Sequence, residues 1–70
     1  MDRVTVVSSN LVSVGYDPGS RTLEVEFWGG RIYQYFNVPS IMHRQLMSAR
    51  SKGRYLARAI KPAYDFRRVA

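Results

Sequence analysis

Seventy residues with 11 Lys+Arg against 5 Asp+Glu, one histidine and no cysteine leave room for one domain, since domains run from about 50 residues upward. The missing thiols exclude a disulfide framework, a thiolate nucleophile and a cysteine zinc site, and the lone His43 excludes a His–His metal pair. A composition 46% hydrophobic and 13% aromatic is that of a chain that folds around a core, although a thin one at this length.

The net charge of +6 is unevenly placed. Residues 1–35 carry Arg3, Arg21 and Arg31 against Asp2, Asp17, Glu24 and Glu26, a net −1, whereas residues 36–70 carry eight cations against Asp65 alone, a net +7. Such asymmetry points either to a polyanionic partner, nucleic acid or an anionic membrane surface, or to a solvated cationic face that only keeps the protein soluble. No apolar run approaches the roughly 20 residues of a membrane span, and Val4–Val7 is broken at once by Ser8-Ser9-Asn10, unlike a signal-peptide core. A cytoplasmic location without membrane contact is the expectation.

In chain order, Val4–Val7 reads as a short strand. Leu11–Asp17 alternates, with Val12, Val14 and Tyr16 on one face and Ser13 and Gly15 on the other. Asp17-Pro18-Gly19-Ser20 follows as a turn in which Pro presets φ, Gly supplies positive φ and Asp bonds the backbone ahead. Thr22–Phe27 places Leu23, Val25 and Phe27 toward a core and Glu24 and Glu26 toward water. Trp28-Gly29-Gly30 is the second turn and Arg31–Phe36 the third strand, with Tyr33 and Tyr35 inward and Ile32, Gln34 and Phe36 outward, although its pattern also permits the opposite register.

Pro39 suits a first helical position, and Met42, Leu46 and Ala49 form the apolar stripe of a first helix. Arg50-Ser51-Lys52-Gly53 breaks it, with Ser51 as N-cap and Gly53 relieving φ. A second helix runs from about Arg54 to Ile60 on Leu56, Ala59 and Ile60 until Lys61-Pro62 stops it, and Tyr64–Arg68 reads as extended or helical. The fold class is α+β: a small antiparallel three- to four-stranded meander with one face covered by a C-terminal helical hairpin.

The cations gather at the hairpin. Arg54, Arg58 and Lys61 recur at i, i+4 and i+7 along one side of the second helix. Arg50 and Lys52 precede it, and seven-residue spacing places His43 and Arg50 on one side of the first helix. Free N–H groups at the start of the second helix favour a phosphate there. Ser51 could bond that phosphate or cap the helix, and the capping role is favoured. Base stacking on the open sheet is opposed by the outward Glu24 and Glu26, with Tyr16, Phe27, Tyr33 and Tyr35 read as core. Trp28 is the exposed stacking residue, or a lid over the sheet end. Catalysis finds little support: Glu24 and Glu26 have no evident cause for a raised pKa, a Ser–His–Asp arrangement would rest on the solvent-facing His43, and neither GxxxxGK[ST] nor GxGxxG occurs.

The order Val7-Ser8-Ser9-Asn10-Leu11, Gly15-Tyr16-Asp17, Leu23-x-Val25-x-Phe27, Gly30-x-x-Tyr33-x-Tyr35-x-x-Val38-Pro39, Ala49-x-Ser51-x-Gly53-x-Tyr55, then Ile60 and Tyr64, resembles the KTSC domain family from about Val4 to Arg68. That family takes its name from the C-terminal extension of some lysyl-tRNA synthetases and also occurs as small bacterial and phage proteins. The resemblance implies one α+β domain over residues 1–70 and no established catalytic activity, with Tyr33, Tyr35, Val38, Pro39, Ala49, Ser51, Gly53 and Tyr55 as motif positions; no cofactor is expected. It also implies an RNA association, because the namesake enzyme charges tRNA. One departure is Ala57, where relatives often carry Asn. The leading expectation is a non-catalytic module that contacts nucleic-acid phosphates, RNA before DNA, through Arg50, Ser51, Lys52, Arg54 and Arg58, with Lys61, Arg67 and Arg68 widening the field. The alternative is a protein–protein module or phage or bacterial accessory protein, docking on an acidic protein or self-associating through Trp28, Ile32 and Phe36.

Overall fold

Two tight turns convert the first half of the chain into consecutive hairpins. The computed structural model, which describes residues 1–70, extends them to a five-stranded antiparallel sheet in the order β1-β2-β3-β4-β5. The strands are β1 (Val4–Thr5), β2 (Leu11–Asp17), β3 (Thr22–Phe27), β4 (Ile32–Tyr35) and β5 (Phe66–Arg68). Between β4 and β5 come α1 (Ser40–Ser48) and α2 (Lys52–Tyr55), the latter running directly into a π-helical turn, Leu56–Ile60. The fold is α+β as expected, with one strand more than the upper expectation. The extra strand is β5: Phe66, Arg67 and Arg68 pair with Tyr35, Gln34 and Tyr33, so the ambiguous C-terminal stretch is extended.

The core lies between the sheet and the two helices. Leu11, Val14, Leu23, Val25, Phe27, Tyr35 and Val38 meet Leu46, Leu56 and Ile60 there, each such burial contributing about 1.5–3 kcal/mol. Leu23 opposes Tyr35 and Val25 opposes Tyr33, so the tyrosines of β4 lie on the core side. A β-bulge between Leu11 and Ser13 corrects the reading of β2. Val12 is the inserted residue, so Leu11 and Val14 share the core face although three positions apart, and Val12 is only half-buried.

The outer face of the sheet is not the bare acidic surface that alternation implied. Glu24 is 6% exposed. The N-terminal segment crosses this face above Gly15, where a Cβ would stand 2.6 Å from the Asp2 carbonyl oxygen, and it brings Arg3 onto the acids. Arg3 pairs with Glu24, lies 3.8 Å from Glu26, and donates from Nε to Ser13 Oγ at 2.9 Å. Ser13 in turn donates to Glu26 at 2.9 Å, and Gln34 donates to Glu24 at 2.8 Å. Desolvation pushes the Glu24 pKa upward, but the bonds from Gln34 and Arg3 and the Arg3 charge outweigh it and hold the carboxyl below its ordinary value.

Local corrections follow the same logic of what each backbone position must supply. In the β2–β3 turn Asp17 accepts from the Gly19 N–H at 3.0 Å as expected, but the left-handed residue is Arg21, φ 57°, and not Gly19. Pro39 precedes α1 as its N-cap, with ψ 149°, instead of occupying the first helical position. Helix α1 ends at Ser48, so Ala49 is extended and only Met42 and Leu46 of its expected stripe are helical. The second helix begins at Lys52, two residues earlier than expected, which places Gly53 inside its first turn. Gly53 therefore answers a packing need: a Cβ there would stand 2.6 Å from the Asn10 amide nitrogen.

Candidate nucleic-acid interface

The structure separates the sequence-predicted cations. Arg54 and Arg58 are exposed and lie two residues either side of Leu56, hence on the side of the helix away from the core. Arg50 is exposed in the extended joint before them. Because α1 ends at Ser48, Arg50 does not share a helix side with His43. Ser51 caps α2, its Oγ accepting from the Arg54 N–H at 3.3 Å, and Lys52 Nζ donates to the Ala49 carbonyl at 3.1 Å, closing the end of α1. Both are occupied in holding the joint together.

Lys61 leaves that row. The π turn closes with an i→i−5 bond from the Lys61 N–H to the Leu56 carbonyl at 2.8 Å, a wider turn than the i+4, i+7 arithmetic assumes. It turns Lys61 to the flank of the helix that carries Gly53 and Ala57, with Nζ 5.3 Å from the centre of the Phe27 ring. The last two cations split across the sheet: Arg68 opposes Tyr33 on the core side, while Arg67 opposes Gln34 on the outer side.

The helix flank, the β3–β4 turn and β5 enclose a cleft of about 500 Å³. Phe27, Trp28, Tyr33 and Phe66 supply its aromatic walls, Asn10, Gly53 and Ala57 its small and polar ones, and Arg31 and Lys61 its charges. No carboxylate lines it. Phe27 and Tyr33 meet edge to face at 5.6 Å, and Phe66 tilts against Tyr33 at 5.8 Å. Trp28 is 60% exposed, and its Nε1–H donates to the Ser8 carbonyl at 3.2 Å. The Arg31 guanidinium stands 5.5 Å from the same Phe27 ring that Lys61 approaches. Sequence reasoning named Trp28, Tyr33, Tyr35 and Lys61 singly but missed the cleft, Arg31 and Phe66, because its walls come from four separate segments. The one signal in the sequence was an exposed tryptophan beside an arginine in a glycine turn.

The remaining motif positions serve the joints. Val38 is buried, its N–H donating to the Arg21 carbonyl at 2.9 Å and its carbonyl accepting from the Tyr16 hydroxyl at 2.6 Å. Tyr55 donates to Gln45 Oε1 at 2.6 Å, tying α2 to α1. His43 is not simply solvent-facing: it stacks on Tyr16 at 4.8 Å with the rings 10° from parallel, and burial holds its pKa below the usual imidazole range. Of the three residues in the self-association reading, Ile32 and Phe36 are half-buried, leaving Trp28 alone as an exposed anchor. No helix is long and apolar enough to cross a membrane.

The family model of the KTSC domain matches residues 7–64. The chain belongs to the KTSC domain family. A KTSC domain protein of Yersinia pestis, known from its crystal structure, superposes with a TM-score of 0.92 at 43% identity, covering 99% of this chain and 97% of that one. An uncharacterised protein of Stutzerimonas stutzeri is 44% identical over 64 residues, spanning 91% of this chain and 90% of its own length. A lysine–tRNA ligase of a Nostoc species is 38% identical over 55 residues, which are 79% of this chain and only 10% of that enzyme. Sequences similar to this chain therefore occur in two settings, a small protein of similar length and a minor part of a much larger one.

Proposed function

We propose that this KTSC domain is a non-catalytic module that binds nucleic acid, RNA in preference to DNA, through the cationic side of α2 and its preceding joint. The observation that carries the reading is electrostatic: the chain's ion pairs both belong to Arg3, with Glu24 and Glu26. All eight cations of residues 36–70 thus stand without a carboxylate partner, and Arg50, Arg54 and Arg58 have no structural bond to give up. Like charges held together unpaired repel one another, and a polyphosphate removes that cost while giving charge-assisted bonds. The likeness to part of a tRNA-charging enzyme supports RNA by association. Arg50, Arg54 and Arg58 are the primary contacts, with Arg67 and Arg68 adding field, and Ser51 and Lys52 fix the joint that presents them.

Binding of a labelled structured RNA, followed by anisotropy across a salt series, tests this. Neutralising about three to five phosphates predicts a slope of log affinity on log salt of about −3 to −4.5, made shallower by roughly one for each of Arg50→Gln, Arg54→Gln and Arg58→Gln. A flat salt dependence, or variants indistinguishable from the parent, refutes it.

A further inference from the structure

We propose that the cleft between the β3–β4 turn, the π turn and β5 takes one nucleotide, its base against Trp28, Tyr33 and Phe66 and its phosphate at Arg31 and Lys61. Arg31 and Lys61 are 30 positions apart in sequence and arrive from different elements, yet both stand over one ring, at 5.5 Å and 5.3 Å from the Phe27 centre. With no carboxylate among the lining residues, the protein meets these charges only with the face of the Phe27 ring and, for Arg31, the Trp28 carbonyl at 3.5 Å. An anion bound in the cleft offers them a full charge where the ring offers only a quadrupole, which makes the cleft an anion site by charge complementarity.

The rest of the cleft selects what that anion is attached to. Its volume of about 500 Å³ lies inside the roughly 300–1,000 Å³ of small-molecule sites. Its walls are aromatic and mutually braced, Phe27 on Tyr33 and Tyr33 on Phe66. Trp28 leaves 60% of its surface free while its N–H is tied to the Ser8 carbonyl, so the indole is offered as a platform already oriented. A planar, sequence-tolerant group that stacks, joined to a phosphate, is a nucleotide. Ala57, on the helix flank of the wall, is small enough to leave the space open.

The nucleotide has two sources, one unit of a bound strand or a free nucleoside monophosphate. The first rests on the nucleic-acid reading above; the second does not. Trp28 is the only tryptophan, so its fluorescence reports the cleft directly. The experiment titrates the full chain with adenosine monophosphate, uridine monophosphate, inorganic phosphate and a uridylate octamer, with amide NMR shifts recorded in parallel. Quenching of Trp28 by the mononucleotides, weakened about threefold to tenfold in Arg31→Gln and Lys61→Gln and lost in Ala57→Phe, upholds the site as one for free nucleotide. Quenching by the octamer alone, with the same variant pattern, upholds it as one for a strand.

Mononucleotide binding without octamer binding upholds the cleft as a site for free nucleotide, and the nucleic-acid reading is then decided by the structured RNA alone. An octamer that binds with shifts confined to residues 50–58 and Trp28 unchanged overturns the cleft while leaving that reading standing. Inorganic phosphate producing the same Trp28 response as the mononucleotides overturns the base-stacking half and with it the proposal. No response to any probe overturns the cleft proposal. Ala57 and Lys61 are exposed, so an amide spectrum unchanged away from the cleft establishes that the variants keep the fold.

Discussion

Arg3→Ala isolates the most exacting electrostatic feature of the fold. The substitution leaves the Glu24 carboxylate, whose side chain is 8% exposed, with the Gln34 amide as its remaining side-chain donor. Removing one partner of a buried pair costs about 3–5 kcal/mol. Here the Arg3 side chain is itself 26% exposed and Gln34 stays in place, so water and the amide recover part of that and the loss is about 2–3 kcal/mol. A chain of 70 residues has a total stability of only about 4–10 kcal/mol, and each kcal/mol moves Tm by about 4–8 °C at this size. Urea unfolding near neutral pH, paired with a thermal melt, measures both. The loss depends on pH in a fixed direction. The Glu24 pKa is lowered in the folded protein, so its ionised form contributes stability above the ordinary value of 4.5, and that contribution is lost as pH falls through the native value. The gap between parent and Arg3→Ala therefore narrows on acidification below 4.5. A loss under about 0.5 kcal/mol, the scale of an ordinary surface substitution, or a gap indifferent to acid, refutes the buried-pair account.

Two further outcomes are expected. Arg21 holds φ 57°, a conformation costing a side-chain-bearing residue about 1–2 kcal/mol, against about 0.5–1 kcal/mol for the extra entropy of glycine; Arg21→Gly raises the urea midpoint by a net gain of about 0.5–1 kcal/mol. Burial lowers the His43 pKa from 6.5, so its contribution is complete above 6.5 and is lost as pH falls through the interval down to the native value; the imidazole NMR titration midpoint lies below 6.5, and His43→Phe, which keeps a ring against Tyr16, removes the stability slope there.

What alternation and turn chemistry govern was legible in the residue order itself. Thr22–Phe27 and Tyr33–Tyr35 carry their inward residues two apart, and Asp17-Pro18-Gly19-Ser20 and Trp28-Gly29-Gly30 mark where strands must reverse. The failures share a cause, a contact from a distant segment or a step outside the regular period. Glu24 has the spacing of a solvated residue, and donors from other segments, Arg3 21 positions away and Gln34 on β4, make its burial tolerable. One inserted residue at Val12 exchanges which neighbours reach the core. Lys61 follows helical spacing in sequence, but a single wide turn moves it from the cationic row to the cleft. Tyr64–Arg68 alternates only weakly in sequence, and it is its pairing with the distant β4 that makes Phe66–Arg68 a strand. Of the candidate site, the charge was visible residue by residue; the separation of Arg50, Arg54 and Arg58 from Lys61, and of Arg67 from Arg68, was not.

Strand β5 joins the sheet last in sequence, holds it through three ladder positions, and is exposed along its whole length. Its Phe66 forms one cleft wall, yet none of its residues belongs to the buried core. Detachment of this strand is thus expected to be a low-energy, sub-global opening that leaves β1–β4 and the helices folded. A strand that opens this way acts as a clasp, and the bonds it must release include those from the Val69 N–H to the Ile32 carbonyl and from the Ile32 N–H to Ala70. Hydrogen exchange at Ile32 and Val69 then runs ahead of exchange in β2 and β3, and a molecule seated against Phe66 slows it, so occupancy of the cleft is written into the protection of two amides at the edge of the sheet.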